Sequence, residues 1–263
     1  MKPTLALSGL VMLACAALPA QERVVVPARN TSHPRQVFVK TFNHAIIVKT
    51  YEGKDVIVET GTDRTRERRP PADTAGMKRL DTRGGLAVTE EDNVIHVNTS
   101  MTSEGPVTVT VPADTSLNLQ THNSNVDVTG VRGEIVAHTF NGHINLTNVS
   151  GTVVADTFNG PINATMDGVD GSKPLSFSTF NSKIDVTFPA GLKANVAVKT
   201  NHGDVFSDFD VNMSAGPSLQ ADNSGQGKYR VRFDRGLTGT INGGGVPISF
   251  HTFNGAVYIR KGK

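Results

Sequence analysis

One short phrase recurs along this chain and limits what it can fold into. Thr41-Phe42-Asn43-His44, Thr121-His122-Asn123-Ser124, Thr139-Phe140-Asn141-Gly142 and Thr157-Phe158-Asn159-Gly160 are variants of it. Thr179-Phe180-Asn181-Ser182, Thr200-Asn201-His202-Gly203 and Thr252-Phe253-Asn254-Gly255 complete the set. From Thr121 to Thr200 the copies start 18, 18, 22 and 21 residues apart. A unit of that length is too small to bury a hydrophobic face by itself, so the copies must stack.

Each copy is flanked by two apolar alternations. Before the threonine stand pairs such as Leu117 and Leu119, Ile135 and Ala137, or Leu175 and Phe177. After it stand Val126 and Val128, Ile144 and Leu146, or Ile184 and Val186. A period of two is the signature of a strand with one face buried, so each copy reads strand, turn, strand. The turn falls on Asn-Gly or Asn-Ser, where a left-handed backbone is cheapest. Because like positions recur at coil length, copy n is expected to lie on copy n+1 in parallel. The Asn43, Asn123, Asn141, Asn159, Asn181 and Asn254 side chains would then form a structural turn ladder. The fold class expected is all-β, a parallel β-solenoid (β-helix) of stacked 18–22-residue coils. A meander of antiparallel hairpins is the structural alternative.

The boundaries follow from composition. Residues 1–20 have the form of an export signal, with Lys2, an apolar run from Leu5 to Leu18, and Leu18-Pro19-Ala20 before Gln21. Met12-Leu13-Ala14-Cys15 also approximates a lipobox, which would make Cys15 a lipid anchor. Either reading takes the protein out of the cytoplasm, to the periplasm, the cell surface or beyond. Residues 21–35 read as an N-terminal extension and 36–263 as a single repeat domain. Within it 63–85 is a charged insertion, net basic and divided by Pro70-Pro71, with a short helix expected over Ala72 to Leu80. Such a run docks acidic lipid or polysaccharide, or is simply a solvated loop. Further loops are expected around Met166 to Pro174 and Pro189 to Lys193. Val246 to Ile259 should close the array. No stretch beyond the N-terminus approaches the eighteen apolar residues of a membrane span.

The chemistry-bearing residues are few. Cys15 is the only cysteine, which excludes disulfides and a cysteine zinc site. A net charge of +2 argues against a nucleic-acid partner. No Walker loop, nucleophile elbow or His-Glu-x-x-His is present, and no cofactor is expected. His138 and His251 share an outward column with Asp156, and His143 points outward beyond its turn. A metal or proton-transfer site needs two or three such groups converging; a surface cross-strand pair is the plainer account. Asp204, Asp208 and Asp210 lack a calcium-loop spacing and read as solvated carboxylates. The column containing Phe140, Phe158 and Phe180 either stacks on sugar rings or folds over a corner of the core. Phe140, Phe158, Phe180, His138 and His143 are therefore the candidate binding residues.

The stretch Val111-Pro112-Ala113-Asp114-Thr115-Ser116-Leu117-Asn118-Leu119-Gln120-Thr121, continuing through Asn125-Val126-Asp127-Val128-Thr129-Gly130-Val131-Arg132-Gly133, resembles the bacterial putative-adhesin family of β-strand-repeat proteins. That family carries a domain of unknown function, and the resemblance covers most of residues 36–260. Here Thr-Phe-Asn-Gly stands where many relatives have a Ser-Gly turn. The resemblance implies an exported β-solenoid and supplies no active-site residues. The expected role is non-catalytic: adhesin-like binding or structural support at the bacterial envelope, with a polysaccharide or an envelope protein as partner. The alternatives are a β-helix polysaccharide lyase or hydrolase, and a periplasmic signalling or assembly partner.

Overall fold

The computed structural model describes residues 22–29, 34–61, 86–99, 105–213, 219–222, 230–233 and 236–263. The signal segment with Cys15, the whole of the basic insertion 63–85 and its expected helix lie outside them. The first strands are β1 (Glu22–Val26), β2 (Gln36–Lys40), β3 (Ile46–Tyr51), β4 (Val56–Thr60), β5 (Leu86–Glu91), β6 (Val94–Thr99) and β7 (Val107–Pro112). Then come β8 (Ser116–Gln120), β9 (Val126–Thr129), β10 (Glu134–Thr139), β11 (Ile144–Thr157), β12 (Ile162–Val169), β13 (Leu175–Thr179) and β14 (Ile184–Phe188). The last are β15 (Ala194–Thr200), β16 (Val205–Ser207), β17 (Val211–Met213), β18 (Leu219–Asp222), β19 (Arg230–Phe233), β20 (Leu237–Ile241), β21 (Val246–Thr252) and β22 (Val257–Lys261). No helix occurs among the described residues.

The protein is all-β and solenoid-like. Each coil lays one strand on each of two faces and turns at the Thr-Phe-Asn phrase. The first face runs β1, β4, β7, β3, β9, the front half of β11, β12, β14, β22, β16. The second runs β5, β6, β2, β8, β10, the rear half of β11, β13, β21, β15, β20, β17. From β6 and β7 to β15 and β16, the strands that carry and flank the phrase pair in parallel, so the stack replaces the hairpin meander. Inward residues fill one continuous core.

Stacking follows sequence order only in the middle. Copies 121, 139, 157 and 179 lie on one another as expected. The N-terminal copy, β2 with β3, slots between the β6–β7 and β8–β9 coils. The C-terminal copy, β21 with β22, slots between the 179 and 200 coils. Val246 to Ile259 therefore does not close the array; it sits inside it. The benefit is physical: a terminal coil has one neighbour, whereas an inserted one pairs its backbone on both sides and buries both Ile248 and Phe250 to 1%. Antiparallel strands take most of the outer positions, β1 and β5 at one end and β20 with β17 at the other, while β16, parallel to β22, ends the first face. So the extension at 21–35 carries a structural strand, β1. The Met166 loop is shorter than expected, because β12 runs on to Val169. Lys173 in what remains of it is held 2.6 Å from Glu134, which raises the lysine pKa.

The repeated phrase explains itself at the corner. From Thr121 on, each threonine donates its hydroxyl to a turn carbonyl of the neighbouring coil, among them Thr139 to Ser124 at 2.8 Å, Thr157 to Gly142 at 2.9 Å and Thr179 to Gly160 at 2.9 Å, while Thr41 at the head of the ladder donates to His44 of its own turn. Thr252 donates to Ser182 and Thr200 to Gly255, repeating the out-of-sequence order bond by bond. The expected left-handed turn is not the reason for glycine here. Positive φ occurs at the opposite corner, at Gly130, Asn148 and Gly151. Gly142 and Gly160 are needed because coils touch: a Cβ on Gly160 would stand 1.8 Å from the Gly142 carbonyl oxygen. Gly160→Ala is expected to force two coils apart and cost about 1–3 kcal/mol, read as a lower denaturation midpoint with an unchanged denaturant slope.

Candidate functional site

The corner presents two ladders to solvent. Phe42, His122, Phe140, Phe158, Phe180 and Phe253 stack in spatial order with ring centroids 4.8–5.0 Å apart and planes within 13°. Strand spacing sets that interval. Phe140, Phe158 and Phe180 are 38–39% exposed, but each ring face is covered by the next rung. What solvent meets is a strip of ring edges, so face-on stacking of a sugar between rungs is blocked. Beside it run the six asparagines read as a turn ladder, each amide donating to the one before at 2.7–2.9 Å from Asn43 to Asn254.

The two histidines flank the corner on opposite faces and do not converge. His138 lies on the second face, its Nδ1 2.9 Å from Asp156 on the adjacent coil, with both side chains about half exposed. His251 is in the same column, with Ser178 between it and Asp156. His143 lies on the first face, its Nε2 3.4 Å from Asp127. Among the described residues no group of three or more His, Cys, Asp or Glu is placed to hold a metal ion.

The first face holds a feature that the sequence reading passed over. Six residues after each threonine stand Asp127, Asn145, Asn163 and Asp185, in register on neighbouring strands. Eight after it stand Thr129, Thr147, Thr165 and Thr187. The two columns wall a groove of about 380 Å³ that runs along the stack and is lined at one end by Arg260. Asn145 donates to Asp127 at 2.9 Å and Asn163 to Asn145 at 2.9 Å. Arg260 grips Asp185 through Nε at 2.6 Å and Nη2 at 3.1 Å, which raises the guanidinium pKa further. Lys183 is 3.6 Å from the same carboxylate. The signal was present in the sequence, since aligning copies on the threonine puts Asp, Asn, Asn and Asp in one column.

The Toastrack DUF4097 family model matches residues 99–236, just over half of the chain. No curated protein matches it. Among solved structures, the chain is similar to a putative cell adhesion protein from Clostridium sporogenes ATCC 15579, at 7% identity and a TM-score of 0.43, over 92% of this chain and 99% of that one. It is also similar to a putative adhesin from Bacteroides fragilis NCTC 9343, at 9% identity and a TM-score of 0.33, over 93% of this chain and 98% of that one. Likenesses this distant carry no argument about activity. The family match begins in β6 and ends just before β20, so both inserted coils lie outside it. It contains the Val111 to Gly133 stretch that suggested the resemblance, and the chain belongs to the Toastrack DUF4097 family.

Proposed function

We propose that the protein is a non-catalytic, exported component of the bacterial envelope or surface that binds in an adhesin-like manner through the outer faces of its coils. The observation that carries this reading is the periodic, laterally paired character of those faces. Asp127 is engaged by His143 and Asn145, Asp185 by Arg260 and Lys183, and His138 by Asp156. A general acid or base has to reach a substrate proton; here the ionisable groups hold one another, mostly across coils. A row of polar rungs at one fixed interval suits an extended ligand better than a single reacting bond. Export rests on the form of residues 1–20, and no helix among the described residues is long and apolar enough to cross a membrane.

The test incubates residues 21–263 with a panel of soluble and insoluble polysaccharides and with isolated envelope fractions, scoring retention and released sugar together. Retention without product is the expected result. Released product would overturn the non-catalytic reading in favour of a lyase or hydrolase.

A further inference from the structure

The polar column of the first face has a defect that follows from counting donors. Four rungs, Asp127, Asn145, Asn163 and Asp185, make three steps between neighbouring strands. The two end rungs are carboxylates and only accept. Each amide between them has one donating end along the axis. Two donors cannot close three steps, whichever way the amides are turned, so one step always sets acceptor against acceptor. Asn145 donates to Asp127 and Asn163 donates to Asn145. The unfilled step therefore falls between Asn163 Oδ1 and Asp185, whose oxygens are held from the other side by Arg260. Acceptors facing each other need a donor from outside the protein, which water supplies at this half-buried step until a ligand hydroxyl takes its place.

The rest of the groove says what that hydroxyl belongs to. The opposite wall is a row of threonine hydroxyls, and each asparagine amide keeps a second N–H that the ladder does not use. Neither sign dominates the groove: its lining sets Asp127 and Asp185 against Arg260, and Lys183 approaches Asp185 from just outside. A polyanion would meet the carboxylates and a polycation would meet Arg260. Three strand steps give a floor about 14 Å long. The repeating hydroxyls match an elongated neutral polyol.

We infer that this groove binds an extended neutral glycan, with a sugar hydroxyl donating into the step between Asn163 and Asp185. The inference rests on the binding function proposed above and gives it a site and a ligand class. The experiment titrates the full mature chain with neutral cello-, malto- and manno-oligosaccharides by calorimetry. Two variants probe the defect, and Ser178→Ala on the second face serves as control. In Asp127→Asn three amides face one carboxylate, the ladder closes on itself and the hydroxyl is no longer required. In Asn163→Leu the open acceptor is removed, and circular dichroism and thermal melting check both folds. At least one oligosaccharide is expected to bind, with affinity about tenfold weaker in both variants and unchanged in the control. Unaltered affinity in Asp127→Asn would overturn the inference. So would absence of binding to every neutral oligosaccharide, even with retention on envelope material, which leaves the broader binding reading standing. Released sugar would instead overturn that broader reading.

Discussion

Removing residues 246–263 is expected to unfold the protein, whereas removing the 18 residues 139–156 from the middle of the stack is not. The contrast comes from the order of the coils. β21 and β22 are sandwiched between coils 179 and 200, so their loss opens a gap inside the core. Five buried side chains go with them, Val246, Ile248, Phe250, Val257 and Ile259. At about 1.5–3 kcal/mol each they amount to on the order of 10 kcal/mol, comparable with the whole stability of a domain. Deleting 139–156 joins His138 to Thr157. His138 and Asp156 are register partners, so the splice passes straight into the next coil and the stack loses one layer. Stacking energies are roughly modular, so the shortened protein should fold with stability lower by a few kcal/mol, roughly one coil's interface. Circular dichroism and thermal melting separate the two outcomes. A truncated chain that still melted cooperatively near the full-length temperature would contradict the coil order.

Phe250→Ala is expected to cost about 3–5 kcal/mol, and Phe158→Ala less than about 1 kcal/mol, although both phenylalanines lie in stacked columns. Phe250 is 1% exposed, stacks on Phe177 at 5.5 Å and meets Phe188 edge-on at 6.4 Å. Truncation there leaves a cavity bounded by two rings of the neighbouring 179 coil, with little room to collapse. Phe158 is 39% exposed and its edges already touch water. Its loss interrupts a ladder without opening the core. Urea denaturation of the two variants measures the difference; equal losses would mean that the corner ladder and the core are not distinct.

Much of the architecture was legible because it is written in periods. The alternation through Leu117 and Leu119, or Ile144 and Leu146, marks strands with one buried face, and the 18-residue interval marks parallel register. The insertion of the two end coils was not legible in that pattern. Repeats of equal length say that copies stack, but any copy can lie on any other. One cue did distinguish them: only the 179 and 252 copies carry Phe, Phe177 and Phe250, two residues before the threonine, and these are spatial neighbours. The corner glycines were misread for a related reason. Sequence does not separate a glycine needed for positive φ from one needed for close approach, and Gly142 and Gly160 are of the second kind. The groove went unread because outward Asp, Asn and Thr look like ordinary solvated surface until their lateral partners are known. His138 and His143 are five residues apart, and the corner between them sends them to opposite faces.

The corner and the groove both depend on the inserted C-terminal coil, since Phe253, Asn254 and Arg260, the last rungs of the corner and the end of the groove, come from the far end of the chain. Amide hydrogen exchange followed by peptide mass spectrometry tests that placement directly. Peptides covering 36–51 and 246–261 should exchange as slowly as those covering 134–157, because all are paired on both sides. Fast exchange in 246–261, at the rate of a fraying end, would contradict the structure and with it the groove that Arg260 completes.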